Sequence, residues 1–490
     1  MLLEKILENN IVLVIPNQIK DIVLSKLNNL ETIYNIKIIS KEELIGFLTF
    51  TYDERAIYYL MHNKGYKYDI ALMYLNNLKF IDSRLSNKKV NKLKELKEEL
   101  DEHKLLICNQ LRKDNIKTKK IVIYGYDYLT NYEKKILADY NYEFIEEKNN
   151  EYQHTIYKFD YIDQEIEFVA YKIVSLIKSG IDINNIKIAN ISNEYYISMK
   201  RIFDLYNIPL ENIINSSIYS TSIIQKFLST LDFTALDVDL SDENNLYIYN
   251  NLIRVINKYN FVSNLEDVKD LLIQEFKNIK NKTIKKDKEV NIININNNII
   301  DDDKYVFFMN FNQGYAPLFL KDDDYFSSKE KSAIGLETHT EINKISKSVL
   351  KNKLNSIKNL YITYKLKSSQ EDFEISLLAD ELNYELNDNP IIEYNCSNQM
   401  NRFNLAIMLD DLIKYQNSSD ILNNLYSNYQ DISYLTYDNK FKGINKKDLY
   451  KYLDNELILS YSSIDNYYKC SFKYYLNNIL KIDLIDLIYN

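Results

Sequence analysis

Glycine is scarce in this chain, with seven in 490 residues. Gly46, Gly65, Gly125, Gly180, Gly314, Gly335 and Gly443 are so widely spaced that no two share a motif. Loops that cradle phosphate need backbone that approaches the ligand closely, and glycine supplies it. G-x-x-x-x-G-K-[ST], G-x-G-x-x-G and G-x-S-x-G are all absent, which excludes a P-loop nucleotide site and a nucleophile elbow. The four histidines, His62, His103, His154 and His339, form no H-E-x-x-H or H-x-H pair, and there is no C-x-x-C. A closed zinc site built within the chain is not expected. Cys108, Cys396 and Cys470 are odd in number and far apart, which argues against a secreted disulfide framework and for a reducing cytoplasm. Tryptophan is missing and proline occurs four times. No apolar run approaches the roughly 18 residues needed to span a bilayer. The opening MLLEKILENN carries acids and no small-residue cleavage site, unlike a signal peptide.

What is present is a globular composition, 46% hydrophobic and 27% charged, long enough for two to four domains. Ile, Asn, Lys and the 44 tyrosines are abundant, as expected of drift in an AT-rich genome. The net charge of −9 argues against coating nucleic acid by bulk charge but leaves room for a local basic channel.

The chain is organised around Tyr305–Pro317, YVFFMNFNQGYAP. Tyr305–Met309 is an unbroken apolar run, as in a strand covered on both faces, and Asn312, Gly314 and Pro317 end it. Ligands of open α/β sheets bind beyond the carboxyl ends of such strands. The turn Asn312, Gln313, Gly314 is therefore expected to face a cleft.

Before it, Ile11–Ile15, Tyr34–Ser40 and Lys120–Tyr124 read as strands, and Asn17–Leu27 as a helix. Residues 53–112 read as a charged helical insertion. Thr130 and Glu133 have capping-box spacing. Asp127 is the one carboxylate near its strand end, and a lone acid without a P-loop reads as structural. Asp163–Gly180 is an amphipathic helix, Lys187–Ile191 a strand, and Ser192–Tyr206 a further helix. This alternation predicts parallel sheets. Residues 216–290 read as a second helical insertion. Its basic run holds Lys277, Lys280, Lys282, Lys285 and Lys286, which reads as a solvated helix end or as a phosphate contact. Lys347–Leu360 reads as a helix, and Tyr361–Lys365 as a strand. Helices follow to about Asp454. Ser460–Ser463 cap a last helix bearing Tyr467, Tyr468 and Cys470.

Five of these stretches, in this order, resemble the B subunit of the bacterial AddAB/RexAB helicase–nuclease, a double-strand-break repair enzyme. IVLVIPNQ (11–18) resembles its VPxQ strand. IVIYGYDYLTNYEKKIL (121–137) resembles the degenerate counterpart of a helicase magnesium-binding strand. Residues 165–209 resemble the opening of its second motor domain. Residues 305–335 resemble its central strand and loop, and LSYSSIDNYYKCSFKYYLNNILKI (459–482) resembles the entry to its PD-(D/E)xK nuclease domain.

The resemblance implies two degenerate superfamily I helicase-like, RecA-like parallel-sheet domains, 1–155 and 156–385. A helical connector (386–456) and the start of a nuclease-like domain (457–490) would follow. It implies an AddA/RexA-type helicase–nuclease partner and contact with double-stranded ends and single-stranded DNA. It also implies a cytoplasmic, nucleoid-associated location and no membrane.

The departures are equally informative. The P-loop that precedes VPxQ in hydrolysing members is missing. Residues 349–364, where an active second motor domain supplies arginines, have none. The D/E-x-K triplets at Asp302–Lys304, Glu275–Lys277 and Asp438–Lys440 do not end apolar strands. The expected protein is thus a non-ATPase scaffold that docks the motor subunit and guides DNA, with exonuclease activity only if a nuclease domain follows Asn490. Such a domain would bring Mg2+ and a 4Fe–4S cluster, for which Cys470 would be the first of four ligands. No cofactor or catalytic residue is expected within the chain itself. A lone cysteine would otherwise read as core. The alternatives are a stand-alone two-domain α/β enzyme, an ATP-independent nuclease or a nucleotide-sugar transferase, using the strand ends near Asp127 and Asn312, or an interaction platform with no DNA role.

Overall fold

A computed structural model describes residues 10–28, 36–82, 84–145, 151–212, 217–281, 287–297, 300–368, 371–388, 397–429 and 459–479, with positions 390, 446, 449, 450 and 457. The chain divides into two compact units, 1–399 and 400–490. The first is α/β, with two parallel sheets and helical insertions.

The strands are β1 (Ile11–Val14), β2 (Ile36–Ile39), β3 (Thr51–Tyr52), β4 (Leu106–Ile107), β5 (Lys120–Tyr124) and β6 (Tyr142–Ile145). They continue with β7 (Thr155–Tyr161), β8 (Ile186–Ala189), β9 (Asn291–Ile293), β10 (Tyr305–Phe308), β11 (Asn359–Lys367) and β12 (Glu385–Asn387). The first sheet runs β2-β1-β5-β6 and the second β12-β7-β11-β10-β8-β9, each pairing parallel. β3 and β4 form a separate antiparallel pair.

β1 is buried on both faces because its side chains alternate between two cores. Val12 and Val14 pack with Leu44, Ile116 and Leu137, from the helices Lys41–Leu48, Gln110–Lys117 and Asn131–Leu137. Ile11 and Leu13 pack with Ile19 and Val23 on the other side. The second sheet repeats the scheme. Val306, Phe308, Ile362 and Tyr364 meet Leu350 and Leu354 of the helix His339–Ser356. On the opposite face Phe307 stacks on Tyr361 at 4.8 Å. There Phe168, from the helix Ile162–Lys178, lies against Tyr157 and Phe159.

The two helical insertions do not stand apart. Helices Glu54–Lys64, Tyr68–Asn77 and Lys88–Glu102 share one core with Ser222–Thr230, Glu243–Lys258 and Lys269–Asn278. Leu60, Leu93, Phe227, Leu252 and Phe276 all lie in it, and Phe326 enters from the second sheet's domain. Lys258 bridges the insertions, 2.8 Å from Glu54 and 3.0 Å from Glu275.

Several sequence expectations shift. The helix expected over Lys347–Leu360 runs His339–Ser356, opened by a Thr338–Glu341 capping box, and β11 begins at Asn359. Asn17–Ile19 is a 3-10 turn before the helix Lys20–Asn28. β3, β4, β6, β7, β9 and β12 are not among the strands expected from the sequence. β7 and β12 mix polar with apolar residues, and β9 and β12 have three residues each. In the second unit, helices Asn398–Tyr415 and Asp420–Asn428 precede Tyr461–Lys469, which stops short of Cys470. Asn398–Tyr415 and Asp420–Asn428 lie in the stretch expected to be helical to about Asp454, of which positions 430–445, 447, 448 and 451–454 fall outside the described residues. Among the described residues no helix is long and apolar enough to cross a membrane.

Candidate functional site

In each sheet the crevice beyond the carboxyl strand ends is the place to look. In both, the chain's own side chains occupy it.

In the first sheet, β5 turns at Gly125, whose φ of 76° suits glycine. A Cβ there would meet Ile19 Cδ1 at 2.5 Å, so the turn after β1 packs directly on this one. Asp127 follows, and its Oδ1 lies 3.1 Å from Lys353 Nζ. Lys353 also donates to the carbonyls of Ile295 (3.1 Å) and Asn296 (2.7 Å), so a helix of the second domain plugs the acid of the first.

The helix starts nearby are similarly taken. Ser40 and Glu43 form a capping box, and the N–H of Lys41 donates to Tyr126 Oη at 2.8 Å. Thr130 and Glu133 form another, and the N–H of Asn131 donates to Glu337 Oε1 at 2.6 Å. A helix N-terminus attracts anions through its unpaired N–H groups. Here carboxylates of the chain itself fill that role, one of them from the other domain. Between these helices and residues 324–342 lies a cavity of about 740 Å³. The Lys41 and Lys331 ammonium groups that line it are paired with Glu133, at 3.2 Å, and Asp324.

In the second sheet, β8 and β10 lead into Asn190 and Asn310, both left-handed with φ of 62° and 53°. Beyond them lies a closed polar cluster. Glu165 is fully buried. Its Oε1 accepts from the N–H of Asn310 (3.0 Å) and from Thr363 Oγ1 (2.6 Å). Its Oε2 accepts from the Tyr195 hydroxyl at 2.5 Å. Lys365, only 1% exposed, donates to Tyr195 Oη (2.9 Å) and Asn310 Oδ1 (3.1 Å). Its ammonium lies 4.3 Å from the ring centres of both Tyr195 and Phe373. Burial pushes the Glu165 carboxyl above its usual range, against the pull of its hydrogen bonds and of Lys365. Burial likewise pushes the Lys365 amine down, against the attraction of Glu165. The donors and acceptors answer one another within the cluster, so it serves cohesion rather than chemistry on a ligand.

Asn312 belongs to this structure and not to an open cleft. It is fully buried, and its Nδ2 donates to the carbonyls of Lys365 (2.7 Å) and Glu374 (3.0 Å). Gln313 Oε1 accepts from the N–H of Leu377 at 3.1 Å, while Gly314 is exposed with φ of 86°. Lys277 and Lys280 are exposed on the second helical insertion, the Lys277 ammonium over the Tyr219 ring and the Lys280 carbonyl accepting from the Tyr247 hydroxyl. Lys282, Lys285 and Lys286 lie outside the described residues.

Cys470 is exposed, not core, and its Sγ accepts from the N–H of Lys473 at 3.5 Å. Cys108 is exposed and Cys396 lies outside the described residues. No group of three His, Cys, Asp or Glu suited to a metal occurs among the described residues.

Glu165, Thr363 and Lys365 were not singled out from sequence, although a signal existed. Thr363 and Lys365 share one face of a strand whose neighbours are apolar. Glu165 sits one turn before Phe168 and Val169 on the buried side of its helix.

No family model matches this chain, and a search of curated proteins finds no match.

Proposed function

We propose that this chain is a non-ATPase scaffold subunit of an AddAB/RexAB-type helicase–nuclease, docking the motor subunit and helping to guide DNA ends. The observation that carries this reading is the state of the two strand-end crevices. Lys353 lies on Asp127 in one, and Lys365 lies in the Glu165–Tyr195 cluster of the other. A phosphoryl-transfer motor needs those places open for nucleotide, magnesium and a transition-state cation. It also needs its lobes to move, whereas here the insertions of both lobes share one helical core. The order of the five family-like stretches supports the rest of the reading. Exposed Lys277 and Lys280 are the described cations offered to DNA. Mg2+ and a 4Fe–4S cluster belong to the reading only with a following nuclease domain. The filled crevices weigh against a stand-alone transferase, which would need the strand ends near Asp127 and Asn312.

The test is co-expression of the full chain with the AddA/RexA-type subunit of the same genome. A stable complex is expected, with all ATP hydrolysis abolished by a P-loop lysine substitution in the partner. DNA-end binding should fall steeply with salt. Hydrolysis by this chain alone would overturn the proposal. Salt-independent DNA binding would count against contacts to the phosphates, and a complex that binds no DNA would leave the interaction platform with no DNA role as the better reading.

A further inference from the structure

The loop that leaves β10 carries three consecutive large apolar residues in solvent. Leu318 is 69%, Phe319 47% and Leu320 53% exposed, and beside them Leu377 is 61% exposed. Single exposed apolar side chains are ordinary, but a contiguous group marks a surface that something covers.

The backbone beneath this group is held firmly. Asn343, on the helix His339–Ser356, donates from Nδ2 to the Leu320 carbonyl (3.0 Å) and accepts at Oδ1 from the Leu320 N–H (2.8 Å). Its amide imitates a neighbouring strand. Gln313 joins the second loop, donating its N–H to the Glu374 carbonyl (2.9 Å) while its Oε1 accepts from Leu377. Ser376 Oγ donates to the Ala316 carbonyl. Residues 313–320 and 374–377 therefore form one preorganised surface with its apolar side chains outward. Preorganisation lowers the entropy cost of binding.

The rim is acidic. Asp322, Asp323, Glu371, Asp372 and Glu374 are exposed on the segments that carry it and beside them, against Lys321, Lys344 and Lys367. That charge repels nucleic-acid phosphates and anionic lipid. It complements an apolar socket bordered by lysine and arginine on another protein.

We propose that this acidic-rimmed apolar knob, centred on Phe319, is where the motor subunit docks. The inference rests on the scaffold reading and assigns its contact surface. The test uses the full chain and the full AddA/RexA-type subunit of the same genome, with affinity measured by titration across a salt series. Phe319→Asp is expected to weaken association about 30-fold, the range of a central anchor. Its melting temperature should stay at the wild-type value, because the side chain is half exposed. The double variant E371K/E374K should weaken association about 5-fold and flatten its salt dependence. Asn343→Ala, which changes no side chain at the knob, should weaken it by slowing association. If the wild-type chain binds the motor subunit and Phe319→Asp binds equally well, the docking assignment falls while the scaffold reading stands. If the wild-type chain does not bind it, both fall. If the chain alone is a dimer and Phe319→Asp a monomer, the face belongs to a second copy and the assignment is overturned.

Discussion

The ammonium of Lys353 sits 3.1 Å from the carboxylate of Asp127, so the acid that follows β5 is held by a lysine. The pair joins the first sheet's domain to the second, and Lys353 extends the join to two backbone carbonyls. Lys353→Met removes the cation and two carbonyl bonds from a half-buried position. It is expected to lower stability by about 1–2 kcal/mol. Calorimetric titration with MgATP should show no binding in either the wild type or this variant, since a single carboxylate does not fix the ion. Binding in the variant alone would mean that Lys353 masks a working site.

The Glu165–Tyr195–Lys365 cluster makes a sharper prediction. Lys365→Met leaves a buried carboxylate without its cation, and Glu165→Gln leaves a buried ammonium without its anion. Each should cost about 3 kcal/mol in urea unfolding. The double variant should cost clearly less than the sum, because each single variant's penalty is mainly the charge left behind. Additive costs would show that the two groups are not coupled.

The shared helical core predicts communication between segments far apart in sequence. Phe276 is fully buried among residues of both insertions. Phe276→Ala should cost about 3–5 kcal/mol. Amide exchange should accelerate not only in Lys269–Asn278 but also in Glu54–Lys64 and Lys88–Glu102. Acceleration confined to the second insertion would mean two separate cores.

Acid should loosen the seam between the first insertion and the second domain. Glu330 accepts from the Ser327 N–H (2.8 Å), Asn87 Nδ2 (2.6 Å) and Lys89 Nζ (3.1 Å). The Ser327 N–H foremost, with the Ser327 hydroxyl and Lys89, holds its carboxyl below the usual range against the effect of burial. On the same seam the Arg84 guanidinium holds Asp82 far below that range. A depressed folded pKa stabilises the fold above the unfolded pKa, roughly 4 for these residues, and the gain is lost as pH falls through the folded pKa. Melting temperature should therefore drop as pH falls below about 4, and Glu330→Gln should flatten that drop. An identical acid profile in the variant would remove Glu330 from the account.

What the sequence determined by itself was local. The unbroken apolar runs of β1 and β10 announced strands, that of β10 one buried on both faces. Threonine three residues before glutamate announced the helix start at Thr130. The scarcity of glycine spoke against a phosphate-cradling loop. These features follow from backbone sterics, side-chain periodicity and capping, which act within a few residues. Tertiary structure decided what those elements enclose. Asn312 stood out in sequence as a cleft residue, yet its amide is used up on Lys365 and Glu374. Lys365 and Tyr195, 170 residues apart, meet only because β11 lies beside β10 over the helix that carries Tyr195. The two helical insertions read as separate appendages, but neither buries its own apolar face alone, and each completes the other's core. Such pairings depend on which faces the sheet order brings together, and no periodicity within a single segment records that.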